Sequence, residues 1–276
     1  MRPISIPAHV QEHNQPNAAL TMKVADIRAR LQQLRKGEPE VSVVIPAYNE
    51  EENILRTLSA FSRTITPRSV EFIIVDNNSK DRTAAIVRSV GLDCVPESEQ
   101  GITAARNAGL RAAKGKYILN ADADTIYPPH WVELMTKPLD NPANAICYGR
   151  FSFIPVGGTG RFVYFFYEYI ADMIRYLNKY FREEAVNVYG FNSAFRRGQG
   201  LEVEGFNHPP EANEDGWLAV KLRGKGFGKL YYVTSIKALV WTTDRRLQID
   251  GGLLKAFWKR AIRVLTGKRT TANNAG

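Results

Sequence analysis

Apolar residues in the first half of the chain fall into short unbroken runs separated by stripes at helical spacing. The run Val41-Ser42-Val43-Val44-Ile45 has almost no polar alternation, the pattern of a strand covered on both faces, and Pro46 ends it. Asn49 is placed to cap the helix that follows, with Glu50, Glu51 and Glu52 in its positive first turn. Ile54, Leu55, Leu58 and Phe61 supply that helix with a buried stripe. Residues 70–75 read as a second strand, closed by Asp76-Asn77-Asn78-Ser79, and 81–89 as a second helix. Asp93-Cys94-Val95 is a short third strand, 101–113 a helix stopped by Gly115, and 117–119 a fourth strand. Strands alternating with helices predict an α/β fold: a doubly wound, mostly parallel sheet with helices on both faces.

The pattern loosens after Pro128-Pro129. Helices are expected over 130–136, 162–181 and 214–223, the second strongly aromatic and carrying Glu168, Asp172 and Arg175. Extended segments are expected over 145–153, 188–195, 231–233 and 238–240. Residues 1–20 have the polar, Gln/Asn/Pro-containing look of a disordered arm, and Val24, Ile27, Leu31 and Leu34 place a surface helix over 22–34. At the other end Leu253, Leu254, Phe257, Trp258, Ala261, Ile262 and Leu265 form an apolar stripe opposed by Lys255, Lys259, Arg260 and Arg263. That is the pattern of a segment lying in a membrane interface or packed on the domain.

Charge changes the picture only once it is located. Residues 245–276 hold eight Lys or Arg and one acid, a net of +7, which leaves about +2 of the total +9 for everything else. A polyanion-binding core is excluded, and no nucleic-acid partner is expected. Cys94 and Cys147 stand far apart without metal-ligand spacing, which argues against a disulfide frame and a zinc site and for a reducing compartment. No apolar signal core occurs in 1–19, and no run of apolar residues is long enough to span a bilayer. The expectation is a cytoplasmic protein, peripheral on the inner membrane face if the tail binds lipid.

Candidate chemistry centres on Asn120-Ala121-Asp122-Ala123-Asp124, where the fourth strand runs out. In a strand, two acids two residues apart point to one face, and at the carboxyl end of an α/β sheet that face borders the ligand crevice. Paired acids there need a cation or hydrogen-bond donors, and Mg²⁺ carrying a diphosphate suits them; a solvated turn is the plainer alternative. Tyr48 offers a flat face for a base and Asp76 an acceptor for a base N–H, against the alternatives of an ordinary strand-end tyrosine and a helix cap. Arg106 offers a guanidinium to base or phosphate, or else a surface salt bridge. Neither His130 nor His208 falls at a convincing metal position.

Several ordered motifs resemble those of a family 2 glycosyltransferase of the GT-A fold. They are Val-Val-Ile-Pro-Ala-Tyr-Asn-Glu at 43–50, Ile-Val-Asp-Asn-Asn-Ser-Lys-Asp at 74–81, Gly101 with Ala105-Arg106-Asn107-Ala108-Gly109, Asp122-Ala123-Asp124 as D-x-D, Glu214-Asp215 as an E-D pair, and Arg245-Arg246 before Gly251-Gly252. The resemblance implies an inverting, metal-dependent transfer from a nucleotide-diphospho-sugar, UDP-linked by family habit, to a hydroxyl or lipid-phosphate acceptor in glycan or glycolipid synthesis. It makes Pro46, Tyr48, Glu50, Asp76, Arg106, Asp122 and Arg246 donor contacts, with Arg245 a weaker addition. It assigns Mn²⁺ or Mg²⁺ to Asp124 and Asp122, and makes Asp215, beside Glu214, the general base. Asn192 and Phe206 would shape the acceptor side. An acid pair at a positive helix start also has an ordinary electrostatic explanation. The expected organisation is a polar arm with a short helix (1–38), the catalytic domain (39–246) and a basic amphipathic tail (247–276). The alternatives are a sugar nucleotidyltransferase, whose Gly-rich basic loop is missing from 46–50, and a non-catalytic basic binding protein, which leaves the acidic motifs unexplained.

Overall fold

The structure, a computed structural model, describes residues 2–245 and Gln248. Its elements in order are α1 (Ala8–Gln11), α2 (Asn17–Thr21), α3 (Val24–Leu34), β1 (Val41–Ala47), α4 (Ile54–Phe61), β2 (Val70–Asp76), α5 (Thr83–Ser89), β3 (Cys94–Pro96), α6 (Ile102–Ala112), β4 (Tyr117–Asn120), β5 (Thr125–Ile126) and α7 (Trp131–Thr136). Then follow β6 (Asn144–Tyr148), β7 (Phe151–Ile154), α8 (Arg161–Phe181), β8 (Ser193–Arg196), α9 (Arg197–Glu202), α10 (Glu214–Gly224), β9 (Lys229–Tyr232) and β10 (Val240–Thr243).

β1 is the hub of the main sheet, whose order is β3-β2-β1-β4-β8-β6-β9. It runs parallel to β2 and to β4, in a register that sets Ala47 beside Asp76 and Val44 beside Asn120. β8 runs against both β4 and β6, while β9 is parallel to β6. Alternate side chains of β1 enter opposite cores, which is why the run shows no polar phase. Val43 and Ile45 pack with Leu31, Leu58 and Trp131 on one face; Val44 packs with Ala105, Leu110 and Leu218 on the other. On that second face α6 comes so close that a Cβ on Gly109 would stand 2.2 Å from a Val44 methyl.

A second, small sheet has the order β5-β10-β7. β10 pairs antiparallel with β5, Thr242 beside Thr125, and parallel with β7. That register carries the residues just after β10 alongside those just before β5.

Several expectations are corrected here. Residues 1–20 are not a disordered arm: α1 and α2 pack on the domain and bury Val10 and Leu20 completely. Arg2 enters the core between β7 and α8, where it grips both Asp172 oxygens at 2.7 and 2.8 Å and reaches Glu168 at 3.2 Å. A few anchors suffice to order a polar segment once acids on α8 match its cation. Asn49 caps no helix; its φ is 52°, its side chain accepts the Lys80 N–H at 2.8 Å, and α4 begins only at Ile54. The stretch 145–153 is two strands in different sheets, split where the Gly149 N–H turns aside to the Asn192 carbonyl. Residues 190–192 form a 3-10 turn before β8, α9 is an addition, and the last strand starts at Val240 rather than 238.

Glu168 and Arg2 are both almost fully buried. Arg2→Met is therefore expected to lower stability by about 3–5 kcal/mol, toward the lower value because Arg161 still serves Glu168 at 2.8 Å. The midpoint of chemical denaturation measures it, and an unchanged midpoint refutes the clamp.

Candidate functional site

The crevice lies where β1, β2 and β4 end, the place where parallel sheets leave backbone free to meet a ligand. Tyr48 stands just past β1, 48% exposed, and Asp76 closes β2 with its carboxylate accepting the Ser79 N–H at 3.2 Å. Pro46 lies in β1 beside Val75.

Asp122 and Asp124 do not sit in a strand as expected, since β4 ends at Asn120 and β5 begins at Thr125. They share the connecting loop, which is pinned from behind. The Thr57 hydroxyl donates to the Ala123 carbonyl at 2.7 Å and lies 3.0 Å from that of Thr125. The Asp122 N–H donates to the Tyr127 hydroxyl at 2.8 Å, which itself donates to the Phe191 carbonyl. Ala121 and Ala123 are buried, so the two carboxylates are left on the crevice side.

Arg106, 3% exposed on α6, joins the two acidic motifs. Its guanidinium is 3.4 Å from Asp122, 3.0 Å from Asp215 and 3.8 Å from Glu214. Gly190 leaves the room it needs; a Cβ there would fall 1.9 Å from the Arg106 Nη1. Burial works against the Arg106 charge, but Asp215, Asp122 and Glu214 outweigh it and hold the group above its ordinary value.

Glu214 and Asp215 open α10, whose N-cap Asn213 accepts the Gly216 N–H at 2.7 Å. Burial pushes the Asp215 carboxyl up, to about 7. The pull of Arg106 and of the Gly190 N–H opposes this, while the charges of Glu214 and Asp122 add to it. The physical reason is a shortage of positive charge: three carboxylates share one buried guanidinium. A carboxyl poised near neutrality suits a general base.

Arg245 follows β10 and reaches Glu50 at 2.7 Å and Asp124 at 3.4 Å. The β5–β10 register accounts for that meeting. Arg246, expected as the stronger donor contact, lies outside the described residues, as does the apolar-basic stripe of the tail. Asn192, expected on the acceptor side, has its side chain engaged by its own neighbours. It is buried with its amide oxygen on Trp131 and its amide nitrogen on the Arg150 carbonyl. Phe206 is likewise core, beneath the Arg106 guanidinium. His208 is engaged by Thr103 and by the Pro209 carbonyl.

Among the described residues no three His, Cys, Asp or Glu side chains converge as a ready-made metal cage. The donor set nevertheless suits a hard divalent ion. Asp122 and Asp124 supply carboxylate oxygens, and a diphosphate and water complete such shells. The approach of the Arg245 guanidinium to Asp124 marks that position as one that attracts positive charge.

The sequence profile of glycosyl transferase family 2 matches residues 42–199, more than half of the chain. The chain belongs to this family. Among family members, the glycosyltransferase AglE of Haloferax volcanii is 35% identical over 129 residues, 44% of this chain and 42% of that protein. The probable glycosyltransferase YdaM of Bacillus subtilis is 28% identical over 248 residues, 84% of this chain and 56% of that protein. The chain thus spans only about half the length of these relatives. Among solved structures, the mannosyltransferase PcManGT of Pyrobaculum calidifontis, in complex with GDP-Man and Mn²⁺, superposes with a TM-score of 0.56. The identity is 22%, covering 98% of this chain and 77% of that one. Glucosyl-3-phosphoglycerate synthase of Mycobacterium tuberculosis, solved with Mn²⁺, UDP-glucose and phosphoglyceric acid, gives the same score at 20% identity, covering 91% and 85%. At that identity the likeness establishes the fold, which is GT-A.

Proposed function

We propose that this chain transfers a sugar from a nucleoside-diphosphate donor, UDP-linked, to an acceptor hydroxyl or lipid phosphate, with inversion at the sugar carbon. The observation that carries the reading is the Arg106 cluster, which ties the D-x-D loop to a buried carboxyl raised to about 7. Tyr48 stacks on the base and Asp76 accepts from its N–H. Asp122 holds the ribose and, with Asp124, a divalent cation. When bound, that cation supplies charge stabilisation for the departing diphosphate. Arg245, released from Glu50 and Asp124, adds a second cation on the same side. Asp215 takes the acceptor hydroxyl proton, and Arg106 keeps its carboxylate aimed and ionised until that proton arrives. Metal dependence has support from related structures solved with Mn²⁺, and the pairing of Asp124 with a guanidinium is its counterpart in this chain. A lipid-linked acceptor accords with the basic tail, which fits an anionic membrane surface.

Thermal stability titrated with nucleotides tests the donor. UDP is expected to raise Tm in the presence of Mn²⁺ and to do so far less in EDTA. A larger shift with GDP replaces the UDP assignment, and no shift with any nucleoside diphosphate removes the donor site.

A further inference from the structure

α8 is apolar on two sides. Inward, Tyr164, Tyr167 and Ala171 pack on the domain, and the buried charges of Glu168 and Arg175 fix that face to it. Outward, Phe162, Phe166, Tyr169, Met173, Tyr176 and Tyr180 recur at alternating steps of four and three, which stacks them into one seam along the helix. All six are exposed, Phe162 by 62%, Phe166 by 52% and Tyr176 by 58%. A contiguous apolar seam of this length on the outside of a folded domain marks a surface that something covers.

We infer that this seam is the face by which the protein docks on an anionic lipid bilayer. The inference deepens the acceptor reading above and rests on it only for what the membrane delivers.

Two observations choose lipid over other occupants. The first is chemical: half of the seam is tyrosine, an apolar ring with a polar tip, which suits the boundary between headgroups and acyl chains. The second is charge at a known place. The described chain ends at Gln248, whose side chain donates to Asp244 at 2.9 Å. Asp244 in turn accepts from the Val156 N–H and from the Tyr164 hydroxyl in the first turn of α8. The described chain therefore ends at the start of the seam, and the residues from there on complete a stretch, 245–276, of net charge +7. Anionic lipid answers both the seam and that charge. A second copy would bring another +7 to the same edge, and folding the tail onto the seam would leave its charge unanswered. No helix among the described residues is long and apolar enough to cross a membrane, and the buried charges of α8 hold it on the domain, so the contact is one of lying on the surface. At its far end α8 leads to Ala185, which packs against Gly216 beside Asp215, so docking by the seam brings the acceptor side close to the lipid.

The test is co-sedimentation of the full chain with vesicles of phosphatidylcholine alone and of an equimolar mixture with phosphatidylglycerol. Wild type is expected to bind the mixed vesicles, less so in high salt. The double variant Phe166→Glu, Tyr176→Glu is expected to lose about ten-fold or more of that binding, since two side chains can no longer be buried. Its donor hydrolysis in vesicle-free solution should match wild type, so a failed docking surface is distinguished from a failed glycosyltransferase reading. Three results overturn the proposal. One is absence of wild-type binding to either vesicle, and another is equal binding by the variant. The third is a fall in solution mass on substitution without a change in vesicle binding, which assigns the seam to a second copy.

Discussion

Asp215→Asn is expected to keep the fold and the donor affinity while lowering kcat by about 10²–10⁴-fold, the usual worth of a positioned general base. The amide can still accept a hydrogen bond from the acceptor but cannot take its proton, so the loss falls on kcat and not on KM. The same carboxyl sets the pH profile. Raised to about 7, it is protonated at lower pH, and the rate should fall on the acid side of neutrality. Stability should move the other way. A carboxyl whose folded value lies above its unfolded value favours folding below about pH 4, and that contribution is lost as pH climbs through about 7. At pH 8 wild type bears a charged carboxylate in a buried, acid-rich place, and the Asn variant does not. The variant should therefore melt higher than wild type at pH 8, with the difference shrinking toward pH 5. A variant that melts lower at pH 8 would mean that the 3.0 Å contact with Arg106 outweighs burial. If Glu214→Gln fails and Asp215→Asn transfers normally, the roles of the two acids are exchanged. If both transfer normally, the pair is a helix-start feature with no part in the chemistry.

Asp124→Ala should abolish transfer and weaken nucleoside-diphosphate binding in Mn²⁺ but not in EDTA. The conditional loss follows from what Asp124 faces. Its partner at 3.4 Å is the guanidinium of Arg245, so removing the carboxylate without metal frees a cation for the diphosphate and costs the ligand nothing. With metal, the loss of one of two carboxylates leaves the ion held by Asp122 alone. Calorimetry of UDP binding in both conditions makes the comparison. Equal affinities in Mn²⁺ for variant and wild type refute the metal assignment.

The parallel half of the fold is legible because its strands are apolar runs with few polar breaks, Ser42 and Glu71 among them, and its helices carry apolar stripes. β6 and β7 read as one strand because both are fully buried, and only Gly149-Arg150 marks the break. The acids of the site were legible as short local motifs. What joins them was not. Arg106 meets Asp122 because α6 packs behind β1 and β2, and it meets Asp215 because Gly190 withdraws a side chain from its path. Thr57 and Tyr127, which hold the D-x-D loop, look like ordinary helix and strand residues. Arg245 was legible as half of a basic pair, whereas its contact with Asp124, 121 positions away, depends on the pairing of β5 with β10. Composition misleads for the amino-terminal arm because it averages over residues, while the arm's order depends on a handful: Arg2, Val10, His13 and Leu20.

The place of Arg2 also sets an order of events on the ribosome. Its partner Asp172 is made 170 residues later, which at bacterial or eukaryotic elongation rates is about 10–30 s. During that interval the arm has no acid on α8 to close on. β10 and Arg245 are supplied later still. A nascent chain halted before them would carry the D-x-D loop with neither its third-strand neighbour in the small sheet nor its guanidinium. Arg2 is thus seated only after α8 has been made, long after its own synthesis.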